Sequence, residues 1–186
     1  MFKVAIEGPD YSGKTTVCNV LEEKFQYPRF KQPGVDFIRN LISSELEDEK
    51  PSEEVLCLAF ALDRTIQDKY FHKEEVFITD RSMISSMVTQ GSKLGFDTVN
   101  EINQFCRKPD LVIYLDISEI ELRRRMTNRS SADYYDHKAL ETRQDYKKIM
   151  RMISSAHKVK KVQVNRKTPY KLAEEIHNII EEELNC

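Results

Sequence analysis

Apolar residues along this chain follow two spacings. Short apolar runs alternate with longer stretches in which apolar positions recur every three to four residues. Continuous runs bounded by polar or turn residues predict buried strands, and the longer period predicts helices with one buried face. The β-like runs lie at Phe2–Glu7, Pro28–Gln32, Val76–Ile78, Leu111–Leu115 and Val159–Val164, of which Val76–Ile78 and Leu111–Leu115 are continuous and Pro28–Gln32 is the weakest. Between them, helices are predicted at Thr15–Phe25, Phe37–Leu46, Ser52–Tyr70, Ser82–Leu94, Val99–Cys106, from Ile120 to Arg125, at His137–Ala156 and at Tyr170–Leu184. Val17, Val20, Leu21 and Phe25 set the face of the first, and Leu172, Ile176, Ile179 and Ile180 that of the last. Ser52 stands where a helix N-cap belongs. Pro33-Gly34 closes the second run as a turn. Strands alternating with helices predict βαβ units, hence an α/β fold with a five-stranded parallel sheet covered by helices on both faces. Ligands of such sheets bind beyond the carboxyl ends of the strands.

With 186 residues and no linker, repeat or low-complexity tract, the chain is expected to form one domain over 1–186. A net charge of -2 argues against general nucleic-acid binding, which needs a basic face. Cys18, Cys57, Cys106 and Cys186 are far apart, in no metal-ligand spacing, as free thiols in a reducing compartment would be. There is no apolar run of membrane-spanning length, and the first residues read as a strand rather than a signal peptide. The expectation is a cytoplasmic protein without a membrane or nucleic-acid partner.

The chemistry begins where the first strand ends. Gly8-Pro9-Asp10-Tyr11-Ser12-Gly13-Lys14-Thr15 satisfies G-x-x-x-x-G-K-[ST] between a predicted strand and a predicted helix. Glycines let the backbone turn its N–H groups toward phosphates, and the following helix offers its positive end. Lys14 supplies a charge for the β- and γ-phosphates of ATP, and Thr15 a hydroxyl for Mg²⁺. Gly8, Asp10, Tyr11, Ser12, Gly13, Lys14, Thr15 and Thr16 are thus the candidate ATP-binding residues. The Asn-Lys-x-Asp element of guanine-reading GTPases is absent from the sequence. At the end of the third strand, Asp80 is suited to a Mg²⁺-bound water and Arg81 to a substrate phosphate.

The order and spacing of several elements resemble the thymidylate kinase family along nearly the whole chain. Gly8 to Thr16 resembles its P-loop, including the acid at Asp10. Gln32-Pro33-Gly34 with Arg39 is similar to its Glu-Pro-Gly-Gly segment and following arginine. Leu58-Ala59-Phe60-Ala61-Leu62-Asp63-Arg64 is similar to its Leu-Leu-Phe-Ala-Ala-Asp-Arg stretch. Asp80-Arg81-Ser82, Ser85-Ser86 and Gln90-Gly91 resemble its Asp-Arg-Tyr, Ser-Ser and Tyr-Gln-Gly elements, and Tyr114-Leu115-Asp116 its strand before the lid.

The resemblance implies a three-layer P-loop kinase fold and transfer of phosphate from ATP to thymidine monophosphate. It also implies a homodimer and an arginine-rich lid at about 124–137. Arg39 and Arg81 would hold the acceptor phosphate, and Asp10 would approach the sugar. Phe60 would stack on thymine and Arg64 donate to a carbonyl, while Ser86 and Gln90 would line the base pocket. Phe60 and Arg64 are four residues apart, on one helical face. The P-loop carries no arginine, so the lid is expected to supply a catalytic one: Arg129 first, then Arg124 and Arg143. Asp133-Tyr134-Tyr135-Asp136 departs from the family's Asp-Arg-x-Glu there. Ser82 and Thr89 depart from tyrosines, and Thr89 leaves room at the sugar. The alternatives are a broader deoxynucleotide or deoxynucleoside kinase, and a P-loop protein that binds nucleotide without efficient catalysis.

Overall fold

The computed structural model describes residues 1–70, 73–127 and 138–185. Among them, five strands form one parallel sheet: β1 (Phe2–Glu7), β2 (Arg29–Lys31), β3 (Val76–Asp80), β4 (Leu111–Asp116) and β5 (Lys158–Gln163), in the order β2-β3-β1-β4-β5. The helices are α1 (Lys14–Phe25), α2 (Asp36–Glu47), α3 (Glu53–Tyr70), α4 (Met83–Thr89), α5 (Gly91–Leu94), α6 (Phe96–Ile102), α7 (Glu119–Thr127), α8 (Ala139–Ile153) and α9 (Pro169–Leu184).

Alternation along β4 builds two cores. Leu111, Ile113 and Leu115 pack with Val17 and Leu21 of α1 and Ile176 and Ile180 of α9 on one face. Val112 and Tyr114 pack with Ile84 and Met87 of α4 and Tyr146 and Ile149 of α8 on the other. Helices on both faces follow from this two-residue period. A third cluster joins Ile38 and Ile42 of α2 to Leu56 and Ala59 of α3. Register aligns the carboxyl ends of four strands: Ile6 and Lys31 lie opposite Asp80, and Glu7 opposite Tyr114.

The helix ends have local causes. Ser52 Oγ accepts from Val55 N at 3.2 Å. Ser82 Oγ accepts from Ile84 N, and Thr168 Oγ1 from Lys171 N just ahead of Pro169. Two predicted helices differ from the observed ones. Ser82–Leu94 is divided into α4 and α5 at Gln90, because Gly91 packs on Phe96 so closely that a Cβ would lie 2.6 Å from the ring. The predicted helix Val99–Cys106 begins earlier, after Gly95 at φ 86°, and ends at Ile102. His137, the predicted start of the helix before β5, lies outside the described residues, within which α8 begins at Ala139. Among the described residues, no helix is long and apolar enough to cross a membrane.

Candidate active site

The loop after β1 needs its glycines. A Cβ on Gly8 would meet Ser12 Oγ at 2.8 Å and the Leu115 carbonyl at 3.0 Å. Gly13, which starts α1, has a left-handed φ of 93°. Lys14 is buried and curls over the loop, donating to the carbonyls of Gly8 and Pro9 at 2.8 Å each, 3.5 Å from Asp10. Burial, and then the nearby Arg81 guanidinium, push its ammonium below the ordinary lysine range. Thr15 Oγ1 donates to Asp80 Oδ2 at 2.6 Å, so the two oxygens chosen for Mg²⁺ are in contact. Thr16 is exposed on the same helical turn. No group of three or more His, Cys, Asp or Glu side chains suited to a metal occurs among the described residues. A hydroxyl and a carboxylate fit a hard cation that takes the rest of its shell from phosphates and water, as Mg²⁺ does.

Beside the loop lies a cavity of about 300 Å³ lined by Asp10, Gln32, Arg39, Phe60, Arg64, Arg81, Ser85, Ser86, Thr89 and Thr142, among others. Arg81 enters it from the tip of β3 with a left-handed φ of 81°, uncommon for a side chain of this size. Its backbone N–H donates to Ile6 at 3.1 Å and its guanidinium pairs with Asp10. Burial alone would raise the Asp10 carboxyl, but Arg81 and Lys14 together hold it below the usual range.

At the opposite wall Arg64 is buried, its guanidinium 5.7 Å from the Phe60 ring centre. Nε donates to Gln32 Oε1 at 2.8 Å, Nη1 to Asn103 Oδ1 at 2.7 Å and Nη2 to Ser86 Oγ at 2.9 Å. All three partners are neutral. The neighbouring Asp63 turns the other way and accepts from Gly34 N at 3.0 Å and Val35 N at 2.8 Å, fastening the turn that leads into α2. On α2, the half-exposed Arg39 bonds Asp36 at 2.9 Å and the Gly34 carbonyl at 3.2 Å.

Seven of the eight candidate acceptor residues therefore line one cavity. Gln90 does not: it is fully buried at the α4–α5 junction. Thr89 lines the cavity, but its hydroxyl, 2.8 Å from the Ser85 carbonyl, is engaged within its own helix. Arg129 lies outside the described residues. Arg124 is exposed and held by Glu121 at 2.8 Å, while Arg143 Nε donates to the Ile117 carbonyl at 2.6 Å. Arg125 is the arginine of α7 that reaches the P-loop, donating to Tyr11 O at 3.0 Å and Ser12 O at 3.1 Å. Sequence reasoning passed over it: it pairs with Glu121 four residues earlier at 2.8 Å, but Arg123 stands in the same spacing to Glu119, so spacing does not tell the two apart. Glu7, Asn103 and Tyr146 were passed over too. Glu7 alone gave a signal, as a carboxylate ending an apolar strand.

A parallel sheet in this order, with a phosphate-cradling loop at the tip of β1 and a second polar cavity at the tip of β3, defines a P-loop nucleotide kinase. The solved thymidylate kinase of Candida albicans superposes with a TM-score of 0.74 at 21% identity, over 99% of this chain and 92% of its own. A deoxyadenosine kinase from M. mycoides gives 0.72 at 18%, over 97% and 100%. At those identities the two share the fold. The family model for thymidylate kinase matches residues 6–180. A probable thymidylate kinase of Methanococcus aeolicus is 34% identical over 95% of this chain and 92% of its own length, and the thymidylate kinase of Pediococcus pentosaceus 33% identical over 68% and 70%. The chain belongs to the thymidylate kinase family.

Proposed function

We propose that this protein transfers the γ-phosphoryl group of ATP directly to dTMP, giving dTDP. The observation that carries the reading is the junction of two sites. On the P-loop side Lys14 lies 3.5 Å from Asp10, and Thr15 bonds Asp80, the residue before Arg81; Asp10 and Arg81 pair with each other and open onto the cavity containing Phe60 and Arg64. Donor and acceptor phosphates would thus meet between the tips of β1 and β3. The family, and relatives named thymidylate kinases, support thymidylate as the acceptor.

The transferring group carries its charge on equatorial oxygens, so catalysis is positioning plus charge stabilisation. Lys14 would serve the β- and γ-phosphates. Thr15 and Asp80 would hold Mg²⁺, which neutralises phosphate charge. Arg39 and Arg81 would grip the acceptor phosphate, Phe60 would stack on the base, and Arg64 would face its carbonyl edge. Arg129 is the proposed catalytic arginine, in a lid over about 124–137 that belongs to a single kinase domain. A homodimer is proposed too, supported by exposed Val55, Leu58 and Leu62 at helical spacing on α3 beside Phe37 and Leu41 on α2. A cytoplasmic location is supported by the free thiols of Cys18, Cys57 and Cys106.

The test is coupled ADP release with dTMP, dUMP, dCMP, dGMP and the free nucleosides. The reading requires dTMP to be the best acceptor. Faster turnover of a free nucleoside would make the protein a deoxynucleoside kinase, and no turnover with any acceptor would leave a nucleotide-binding protein.

A further inference from the structure

One buried carboxylate has no part in the roles above. Glu7 ends β1, immediately before Gly8, and is fully enclosed. Its Oε1 accepts from Ser82 Oγ at 2.7 Å, and its Oε2 from Ser85 Oγ at 2.8 Å and Tyr146 OH at 2.9 Å. Charge buried at this depth has to be compensated, and here three hydroxyls do it. The direction of their protons determines what lies beyond them. Each hydroxyl has one hydrogen. Ser82 points its own at Glu7 and caps Ile84 N with its oxygen. Ser85 Oγ and Tyr146 OH also lie 2.8 Å apart, so their two hydrogens serve three contacts; with each hydrogen turned to Oε2 or to the other hydroxyl, both oxygens still accept, and each lies 3.4 Å from Arg81 Nη1. A hydroxyl that donates to a carboxylate is a stronger acceptor. Arg81 is thus held on Nη2 by Asp10 directly and on Nη1 by Glu7 through two hydroxyls.

Tyr146 differs from the serines in its origin. Ser82 and Ser85 stand close to Arg81 in the chain, whereas Tyr146 comes from α8, whose Thr142 lines the acceptor cavity one turn earlier. The ring is fully buried and stacks on Tyr114, with centroids 6.0 Å apart. The 3.4 Å contacts are at the long end for hydrogen bonds, so a shift of α8 by a few tenths of an ångström would tighten or break the one from Tyr146.

We propose that Tyr146 is a positioning residue for the acceptor phosphate, relaying the charge of Glu7 to Arg81 and making the grip of Arg81 depend on where α8 sits. The proposal rests on the reading of the cavity as a dTMP site. A tyrosine that merely filled the core would affect folding without affecting how the cavity tells a phosphorylated ligand from an unphosphorylated one.

Tyr146→Phe keeps the ring and removes the relay. Calorimetric Kd values for dTMP and thymidine, with KM values for dTMP and ATP, test it. The expected result is a loss of about tenfold in dTMP affinity, the scale of one hydrogen bond to a charged group. Thymidine affinity and the KM for ATP should stay within about twofold, well inside that loss. In an Arg81→Met background the same substitution should add nothing, because the relay then has no end. Equal losses for dTMP and thymidine, no loss for either, or additivity with Arg81→Met would overturn the proposal. Should Tyr146→Phe not fold, Glu7→Gln carries the same expectation for dTMP against thymidine, since it removes the charge and keeps the shape; the KM for ATP is not part of that arm, because Glu7 precedes Gly8 and its charge also acts on Lys14. Wild-type protein that binds thymidine as tightly as dTMP would overturn the acceptor reading and this proposal with it. Wild type that prefers dTMP, with that preference intact in the variant, overturns this proposal alone.

Discussion

Replacing Arg64 by lysine keeps the charge and removes the planar fork. Three elements converge on that fork: Gln32 after β2, Asn103 after α6 and Ser86 on α4, at 2.7–2.9 Å. An ammonium donates from a single point and cannot span acceptors arranged around a guanidinium. Ser86 can turn its hydroxyl elsewhere. Asn103 cannot turn its amide without losing the bond from Nδ2 to the Val99 carbonyl at 2.8 Å. At least one buried carbonyl oxygen is then unpaired, at about 1–3 kcal/mol each. The more strongly hydrated ammonium also costs more to bury than the guanidinium. The expected destabilisation is about 2–4 kcal/mol, or about 5–15 °C in Tm for a chain of this size. The KM for dTMP should rise about 10–100-fold, as loss of a hydrogen bond to a charged group would give, with the KM for ATP unchanged. The chain has no tryptophan, so unfolding is followed by far-ultraviolet circular dichroism. A Tm within about 1 °C of wild type, together with a dTMP KM within about twofold, would refute both the packing argument and the base-edge role.

The other predictions concern charge and shape around the same two sites. Lys14→Ala should abolish transfer while the protein stays folded, because burial already disfavours its charge; a folded variant with full activity would falsify the P-loop assignment. Arg129→Ala should lower kcat far more than it raises the acceptor KM, and a loss under about tenfold, far short of the roughly 10³–10⁵ an arginine finger supplies, would move the catalytic arginine elsewhere. The Glu121 carboxyl is pushed from 4.5 down to about 2 by hydrogen bonds from Arg124 and then Arg125. A lowered folded-state value makes its stabilisation complete above the unfolded value near 4.5 and lost as pH falls toward 2. The urea midpoint of wild type should therefore exceed that of Glu121→Gln by a constant amount above about pH 5 and converge on it below; a gap that persists to pH 2 would contradict this. Thr89→Tyr should place a ring in the cavity and strengthen rejection of the ribonucleotide analogue of dTMP; if wild type already rejects it by about 10⁴ and the variant adds nothing, Thr89 does not set sugar selectivity.

The central strands could be read from the chain because they are buried on both faces and stand out as apolar runs, whereas the edge strands β2 and β5 carry exposed lysines. Leu111 to Leu115 is the clearest case. The P-loop could be read because its glycines have no substitute where Ser12 and Leu115 crowd the backbone. The division of the Ser82–Leu94 helix at Gln90 could not, because it depends on Phe96 packing against Gly91, a contact that local periodicity does not encode. The cavity was legible as a set of residue types, since Phe60 and Arg64 share a helical face. Its supports were not. Tyr146 falls in register with Ile149, Met150 and Ile153 and reads as core, while Asn103 ends a helix for the sake of a side chain 39 positions earlier. Arg125 was hidden inside a run of three arginines whose members differ only in the direction each faces.

Asp63 and Arg64 are adjacent on α3 but fasten different things: the first holds the turn that carries α2 and Arg39, the second ties α3 to Gln32, Asn103 and Ser86 beside the cavity. On the proposed reading of the cavity, a lineage that altered base preference by tilting α3 would move Arg39 at the same time. Thr89 stands on α4, outside that linkage. Substrate range could therefore shift at Thr89 by a single substitution, whereas the α3 wall, with Ser86 of α4 tied to Arg64, must change as a unit.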